Sequence, residues 1–338
     1  MGIFHFLNVK QGDCSVIQHP NGHVTVIDVC NARLETTITP LQNLFNQFDV
    51  QKSVRGNFGQ KDYPANPIEY MRAHGITSIF RFIATHPDMD HLDGIKDFFA
   101  AFSVTNFWDT KNNKELTDWG NNGPYRQEDW EFYKSLRDGT ATGAPNRLTL
   151  HAGDRNKYWN MDDQGGGGGD GIYILAPTPE LVSSANDSGD HNDCSYAILY
   201  RSTGGRILFL GDAHDATIEH IIANHSADVA DVDVLIAPHH GRHSDRGFEF
   251  LDVLRPKLTL FGNAPSEHLA YDPWYNRDLP IITNNQANCI IIDTNSSVMQ
   301  VYVTNEAYAR AENSQTFYSS NHGGWYLRPV GAVAQAAE

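Results

Sequence analysis

The stretch Thr85-His86-Pro87-Asp88-Met89-Asp90-His91-Leu92-Asp93-Gly94 decides the fold that we predict for this chain. Four side chains that can bind a metal ion, His86, Asp88, Asp90 and His91, lie within six residues of it. The preceding run 78–84 is largely apolar and predicts a buried strand, and apolar residues recur at helical spacing in the segment that follows. Because imidazole and carboxylate together suit Zn²⁺, Mn²⁺ or Fe²⁺, this strand-to-helix turn predicts a metal site.

A polar surface loop with capping aspartates is the alternative interpretation of this stretch, and three further segments disfavour it. Asp212 and the tandem His239-His240 each follow an apolar run that predicts a strand, and His191 precedes another strand. A carboxylate at the end of a buried strand is costly unless it is paired, hydrated or bound to metal. Alone, Asp212 would more often cap the helix predicted at 216–225. Sites in α/β proteins form at the carboxyl ends of strands, so we expect these segments to meet.

This series of residues resembles the metallo-β-lactamase fold superfamily. His86-x-Asp88-x-Asp90-His91 is similar to its H-x-[HD]-x-D-H signature, with Asp in place of the usual second His. Asp212 corresponds to the bridging carboxylate, the pair His239-His240 to the last ligand position, and Asp28 to an early aspartate that orients a ligand. The resemblance implies an α/β fold in the form of a four-layer αββα sandwich, with a dinuclear metal site.

More narrowly, the chain resembles the hydrolase domain of the ComEC/Rec2 competence proteins. Residues 9–13 (VKQGD) are similar to its VGQGD opening, and 238–241 (PHHG) to its PHHG motif. Asn192 and Ser195 match its NxxS motif. Lys10 and Cys30 replace family glycines, and Asp88 makes the first metal position richer in oxygen, which shifts the odds toward Mn²⁺.

The resemblance implies a set of residues for each task in the site. One divalent ion, Zn²⁺ or Mn²⁺, would take His86, Asp88 and His191, the second would take Asp90, His91 and His240, and Asp212 would bridge them. Two alternatives stay open: Asn192 in place of His191, and His239 in place of His240 as the ligand. We expect Asp90, Asp28 and His239 to act in catalysis, with Asp28 and Asp93 as candidates for orienting ligand imidazoles. An equal alternative for Asp93 is a partner of the helix dipole in the first turn of the helix that follows. Arg242, His243 and Ser244 are candidates for substrate contact, and an ordinary solvated loop is the alternative for each of them.

Composition limits the classes of function. The 338 residues carry 25 Lys and Arg against 41 Asp and Glu, a net charge of −16, and 40% are hydrophobic, enough for a large core. No apolar run approaches the roughly 20 residues of a membrane span, so no membrane partner is expected. Four dispersed cysteines without a CxxC pair favour a reducing cytoplasm. The acidity opposes tight binding of long nucleic acid unless a partner protein delivers it or a local basic patch contacts it. The candidates for that patch are Lys52, Arg55, Lys61, Arg242 and Arg246.

We predict a single hydrolase domain over 1–310, with insertions at about 31–66 and 105–170 and a C-terminal extension over 311–338. The insertions have no counterpart in the resemblance and are expected to line the substrate site. Helices are predicted at 67–74, 92–102, 216–225 and 248–254.

The predicted function is a metal-dependent phosphodiesterase or nuclease that acts on nucleic acid or a nucleotide. Hydrolysis of a cyclic nucleotide or another small phosphodiester is the first alternative. A metal-stabilised regulatory or binding subunit of a larger complex is the second. A third is an enzyme subunit that docks through the aromatic residues of the 105–170 insertion. A β-lactamase is less favoured, because the chain shows no export signal.

Overall fold

Two β-sheets pack face to face, with helices on the outer face of each, in a computed structural model that describes residues 2–34, 56–119, 123–160, 169–244 and 246–331. In chain order the described strands are β1 (Ile3–Phe6), β2 (Ser15–Gln18), β3 (Val24–Ile27), β4 (Ser78–Ile83), β5 (Ser103–Trp108), β6 (Asn146–Leu148), β7 (Ile172–Ala176), β8 (Ala197–Ser202), β9 (Gly205–Phe209), β10 (Val234–Ile236), β11 (Leu258–Phe261), β12 (Ile281–Thr283), β13 (Ile290–Asp293), β14 (Gln300–Val303), β15 (Tyr318–Ser319) and β16 (Gly324–Pro329). The described helices are α1 (Pro67–Ala73), α2 (Ile95–Ala101), α3 (Gln127–Arg137), α4 (Pro179–Ser188), α5 (Asp215–Val229), α6 (Phe250–Leu254), α7 (Asp272–Tyr275), α8 (Asn284–Ala287) and α9 (Glu306–Glu312).

The strand order places the parallel strands of the two sheets where the site lies. The larger sheet runs β15-β16-β14-β13-β1-β2-β3-β4-β5-β6, and β3 to β6 are parallel. The smaller sheet runs β12-β11-β10-β9-β8-β7, and β9 to β12 are parallel. Parallel strands end at the same edge of a sheet, so the segments that follow β4, β9 and β10 can meet.

Three hydrophobic interfaces hold four layers together. Between the sheets, alternate residues of β1 point inward, and the ring of Phe4 lies 5.5 Å from that of Phe209 on β9. Ile68, Phe98 and Trp130 pack α1, α2 and α3 against the outer face of the larger sheet. Residues of α5 and α6 do the same on the smaller sheet. The α/β fold class and the four-layer αββα sandwich predicted from the sequence are confirmed.

Helix boundaries differ from the predicted ones for local backbone reasons. The predicted helix 92–102 begins only at Ile95, because Gly94 has a φ of 88° and a 3₁₀ turn, Met89–His91, precedes it. The predicted helix 216–225 extends to Val229 through a kink at His225, where φ is −130°. Apolar spacing detects the buried face of a helix and not its first and last turns.

The segments predicted to be insertions and a C-terminal extension are built into the layers where the structure describes them. The predicted insertion 105–170 contributes α3, whose Trp130 and Tyr133 are buried against the larger sheet. The extension contributes β15 and β16 to the edge of that sheet. Residues 35–55, most of the glycine tract 165–169 and the tail 332–338 lie outside the described residues. None of the described helices has the length and apolarity that a membrane crossing requires.

A buried ion pair fixes the larger sheet to the segment that precedes β7. Arg81 of β4 is fully buried, and its Nη2 donates to Asp170 Oδ2 over 2.8 Å. Its Nη1 donates to Thr25 Oγ1 at 2.8 Å, and the guanidinium lies 4.9 Å from the centre of the Trp108 ring. Burial lowers the pKa of Arg81, and the Asp170 carboxylate opposes that effect.

Replacement of Arg81 should destabilise the fold far more than replacement of an exposed arginine. Arg81→Met leaves the buried carboxylate of Asp170 without its guanidinium, with only the His23 imidazole and the Asn21 amide beside it, which should cost about 3–5 kcal/mol of unfolding free energy. Arg255→Met removes an exposed pair with Asp231 and should leave the unfolding midpoint unchanged. Urea denaturation of both variants and the wild type measures the difference. Equal midpoints for Arg81→Met and wild type would show that the buried pair does not stabilise the sheet.

Candidate metal centre

Three segments that follow strand ends converge on one buried carboxylate. Among the described residues, Asp90, His91, Asp212 and His240 offer ligand atoms that all lie within 4.8 Å of one another. Asp90 and His91 follow β4 of the larger sheet, whereas Asp212 and His240 follow β9 and β10 of the smaller one. The group therefore lies where the ends of the two sheets face each other.

Asp212 is at the centre of this group. Its Oδ1 lies 3.2 Å from His91 Nε2, and its Oδ2 lies 3.8 Å from His240 Nε2. His86 also points at it, with its Nε2 3.7 Å from Asp212 Oδ2. His240 Nε2 lies 3.4 Å from Asp90 Oδ2, which joins the fourth ligand to the cluster.

A strained turn aims two neighbouring imidazoles at the same carboxylate. His239 and His240 have φ values of 53° and 58°, a left-handed conformation that costs roughly 1–2 kcal/mol per residue without glycine. His239 Nε2 thereby lies 3.6 Å from Asp212 Oδ2, close to the approach of His240. Gly241 closes the turn with a φ of 86°, and a Cβ there would lie 2.1 Å from the Phe261 ring. Such strain persists only where the surrounding structure holds it.

Two further aspartates hold the imidazoles of His91 and His240. His91 Nδ1 donates to Asp28 Oδ2 over 2.8 Å, which fixes the tautomer that leaves Nε2 free for a metal. Asp28 also accepts from the Thr85 amide at 2.7 Å and from the Thr85 hydroxyl at 2.6 Å. On the other side, Asp13 Oδ1 lies 3.0 Å from His240 Nδ1. Each imidazole thus has a carboxylate behind it and Asp212 in front.

The electrostatics of the centre favour bound positive charge. Burial opposes charge on His91, but the Asp212 and Asp28 carboxylates raise its pKa well above the ordinary value. Burial likewise opposes charge on His240, but Asp13 and Asp212 raise its pKa to about 10. Burial would raise the pKa of Asp212, but the surrounding imidazoles hold it well below its ordinary value. A divalent cation would supply the positive charge that protonated imidazoles otherwise provide.

Buried polar atoms without hydrogen-bond partners test whether these residues fit a metal ion. Within the described residues, Nε2 of His86, Nε2 of His91 and Oδ1 of Asp212 are buried and lack a partner in hydrogen-bonding geometry. Each such atom costs about 1–3 kcal/mol when it stays unsatisfied. His91 and Asp212 belong to the group whose ligand atoms lie within 4.8 Å of one another, so a cation held by Asp90, His91, Asp212 and His240 fits the residues present.

Two predicted ligands of the first ion lie against other partners. The Asp88 carboxylate pairs with the ammonium of Lys114, and His191 Nε2 lies 3.0 Å from Asn113 Oδ1. The alternative ligand Asn192 approaches His214 Nε2 through its Nδ2 at 3.3 Å. Neither Asp88 nor His191 belongs to the four-residue cluster around Asp212.

The remaining predicted residues separate into two groups. Ser244 Oγ lies 2.6 Å from His239 Nδ1, so it contacts an imidazole of the centre. Arg242 and His243 follow the PHHG turn and pair through their backbones with the segment around His268 and Leu269. Asp93, a candidate for orienting an imidazole, instead accepts from Arg33 Nε at 2.8 Å and from the Asn31 amide at 3.2 Å.

Arg246 has a positioning role that the sequence analysis missed. We expected it in a basic patch, but it is buried, and its Nη1 and Nη2 donate to the Ala213 and Pro238 carbonyls at 2.5 and 2.8 Å. These carbonyls belong to the loops that carry Asp212 and the tandem histidines. Arg246 therefore fixes the two ligand loops relative to each other, and no sequence signal distinguishes this arginine from a surface one.

Asp13 was also missed as a residue of the site, although it lies in the quoted 9–13 motif. Its neighbour Gly12 explains how the loop comes so close. A Cβ at Gly12 would lie 2.0 Å from the Asp90 carbonyl oxygen, so only glycine lets this loop pack on the ligand segment.

The four layers, with a candidate metal centre at the facing ends of the sheets, are the architecture of the metallo-β-lactamase fold. Searches against protein-family models and against curated proteins find no match for this chain. Among solved structures, Igni18, a metallo hydrolase from the hyperthermophilic archaeon Ignicoccus hospitalis, is 12% identical with a TM-score of 0.45, and the match covers 86% of this chain and 99% of Igni18.

Two other solved structures are similar at the same level. A diphosphatase of the PhnP family is 13% identical with a TM-score of 0.40, and the match covers 83% of this chain and 94% of the diphosphatase. The metallo-β-lactamase SMB-1 is 11% identical with a TM-score of 0.34, and the match covers 69% of this chain and 75% of SMB-1. The fold assignment rests on the layers and strand order of the chain itself.

Asp28 and Asp93 should differ in their effect on metal affinity. Asp28→Asn must turn an NH₂ group toward either the Thr85 amide or His91 Nδ1, which are both donors. We expect the loss of this acceptor to weaken Zn²⁺ or Mn²⁺ binding about 10–100-fold. Asp93→Asn loses its pair with Arg33 and should leave metal affinity unchanged. Competition titration with a chromophoric chelator measures both, and equal affinities for the two variants would contradict an orienting role of Asp28.

Proposed function

We propose that this protein is a metal-dependent hydrolase of phosphodiesters, with nucleic acid as the leading substrate. The observation that supports the proposal is the convergence of imidazoles and carboxylates from three loops, those that carry His91, Asp212 and His240, on one buried point. A buried polar cluster of this kind is costly unless it binds something, and its donor set is that of a hydrolytic metal site.

Some residues of the centre are buried and would hold the metal ion, whereas others are partly exposed and would face the substrate. Side chains of His86, His91, Asp212 and His240 are at most 2% exposed, whereas those of Asp90 and His239 are 21% and 19% exposed. A divalent cation bound here would act as a Lewis acid and ionise water near neutral pH. Substrate therefore approaches from the side of Asp90 and His239.

His239 is placed to exchange a proton or a hydrogen bond with the substrate. Burial lowers its pKa to about 4, so the imidazole is neutral at physiological pH. Its Nδ1 is paired with the Ser244 hydroxyl, which leaves Nε2 on the side of Asp212. Asp28 acts indirectly, because it orients the imidazole of His91 and does not itself face the substrate.

The preference for a phosphodiester rests on the resemblance of residues 9–13, 192–195 and 238–241 to the ComEC/Rec2-type hydrolase domain. Two Zn²⁺ or Mn²⁺ ions per chain are the form of the site that this resemblance implies, and their number stays a prediction. A cytoplasmic location belongs to the same proposal, and it agrees with four cysteines that are buried and free.

A small phosphodiester such as a cyclic nucleotide is the second candidate substrate. The net charge of −16 repels long nucleic acid, and the burial of Arg246 removes one member of the expected basic patch. Lys52 and Arg55 lie outside the described residues. A partner protein that delivers nucleic acid would reconcile the acidity with a nuclease. A regulatory subunit with a purely structural metal is the remaining alternative.

Removal of the central carboxylate should abolish the activity. Asp212→Ala should lower metal-dependent cleavage of bis(p-nitrophenyl) phosphate at least about a hundredfold, because the cation loses the carboxylate at the centre of its ligand group. His268→Ala removes an exposed imidazole outside the cluster and should cleave like the wild type. Elemental analysis of the dialysed proteins should show metal loss in Asp212→Ala alone. Full metal content and full activity in Asp212→Ala would exclude the proposed centre.

Cleavage assays with plasmid DNA and with cyclic nucleotides should distinguish the two candidate functions. The Mn²⁺-loaded protein should degrade plasmid DNA, and Asp212→Ala should not. Intact plasmid together with cleavage of cyclic nucleotides would transfer the proposal to small phosphodiesters. A metal-loaded protein that cleaves neither would favour the regulatory subunit.

A further inference from the structure

The position that the resemblance assigns to a first metal ion is occupied by protein side chains. Asp88 is paired with the ammonium of Lys114, and His191 is paired with the side-chain oxygen of Asn113. Asn113 and Lys114 are neighbours in the 105–170 insertion. One short segment of the insertion thus engages two of the three ligands that a first ion would need.

This segment is anchored on both sides. The Lys114 carbonyl accepts from Arg137 Nη1 at 2.7 Å, and the Lys114 amide donates to Asn112 Oδ1 over 3.2 Å. Asn112 in turn donates to the Tyr133 hydroxyl at 2.6 Å, so α3 holds this side of the segment.

Helix α4 holds the other side, because the Asn113 amide donates to Asn186 Oδ1 over 2.9 Å. The backbone at 112–114 is fixed by two helices, and the ammonium of Lys114 is delivered to Asp88 from a defined position.

The third ligand of the predicted first ion lies with the other cluster. His86 Nε2 faces Asp212, and the rings of His86 and His91 lie 4.2 Å apart. His86, Asp88 and His191 are therefore divided between the Asp212 cluster and the 112–114 segment. These residues fit one ion around Asp212 and do not fit a second ion at Asp88.

We propose that the chain binds a single divalent ion at Asp90, His91, Asp212 and His240, and that the ammonium of Lys114 takes the place of a second cation. Asp88 holds this ammonium beside the centre, and both side chains keep partial solvent exposure, at 32% and 23%. An anionic oxygen of the substrate can reach Lys114 while the ion acts on the same substrate. The substrate part of this inference rests on the proposed function, whereas the metal count does not.

An ammonium and a metal ion differ in the chemistry that they supply. Lysine provides a fixed positive charge and three hydrogen-bond donors, so it can bind a phosphate oxygen. It cannot ionise a water molecule as a Lewis acid does. A site of this kind binds the anion through two different cations and generates the nucleophile at one of them.

Metal stoichiometry tests the first half of the proposal without any turnover. After equilibrium dialysis against Mn²⁺ and, separately, Zn²⁺, elemental analysis should give one ion per wild-type chain. The same count is expected for Asp88→Asn, because Asp88 is not a ligand, and Asp212→Ala should bind none. Two ions per wild-type chain, or loss of metal from Asp88→Asn, would overturn the proposal.

Binding of inorganic phosphate tests the second half. Calorimetric titration of the metal-loaded protein should show at least about tenfold weaker phosphate affinity in Lys114→Met, and recovery of most of it in Lys114→Arg. Lys134→Met is the matched control, because Lys134 pairs with Glu115 in the same insertion at a similar exposure. Unchanged affinity in Lys114→Met, or an equal loss in Lys134→Met, would overturn the role of Lys114. If both measurements hold and no phosphodiester is cleaved, the proposed function fails and the single-ion site stands.

Discussion

The carboxylate of Asp212, buried among imidazoles from two loops, is the constraint on which the rest of the site depends. A buried charge of this kind is stable only with opposite charge in contact. His91 and His240 supply it, and their own far sides are held by Asp28 and Asp13. Carboxylate, imidazole and carboxylate thus alternate around Asp212, and unfavourable backbone conformations nearby are needed to bring them into contact. The left-handed pair His239-His240 and the close approach of Gly12 to Asp90 both serve to bring these groups together.

The four layers explain how distant segments reach one point. The central apolar interface, from Phe4 to Phe209, fixes the two sheets face to face, and the ends of their parallel strands then face each other across a short gap. Neither sheet holds the cluster alone, since Asp90 and His91 come from one and Asp212 and His240 from the other. Arg246 adds a local restraint, because it binds the carbonyls of both loops on the smaller sheet. Packing energy of the core is thus what positions the polar residues.

The sequence predicts those parts of the molecule that are encoded locally. Apolar runs of 4–6 residues predict the strands, and polar residues directly after them predict where Asp28, Asp212 and His240 lie, because strand ends are fixed by the sheet. Contacts made by the insertion are not encoded in this way. Nothing in the sequence around Lys114 indicates that its ammonium meets Asp88, 26 residues earlier, since that contact depends on how α3 and α4 hold the segment 112–114. The same holds for Arg246, whose partners are main-chain carbonyls that carry no residue signature. The start of α2 at Ile95 depends on the φ of Gly94, which periodicity does not detect.

The metal centre is buried on one side and accessible to solvent on the other. His91, Asp212 and His240 are enclosed, so their geometry cannot follow a substrate, and they can only hold charge in place. Asp90 and His239 reach the surface on one side, and the Asp88–Lys114 pair is also partly exposed. In the proposed site, an anionic group that enters on this side would contact both the bound ion and the ammonium, although the protein as a whole is strongly acidic. The net charge of −16 repels an anion, but salt screens this repulsion beyond a Debye length of about 8 Å at physiological ionic strength. Cations held in place inside the site can therefore still bind the anion once it is close. The predicted 105–170 insertion contributes Lys114 to this arrangement, so the proposal connects anion binding to a segment outside the Asp212 cluster itself.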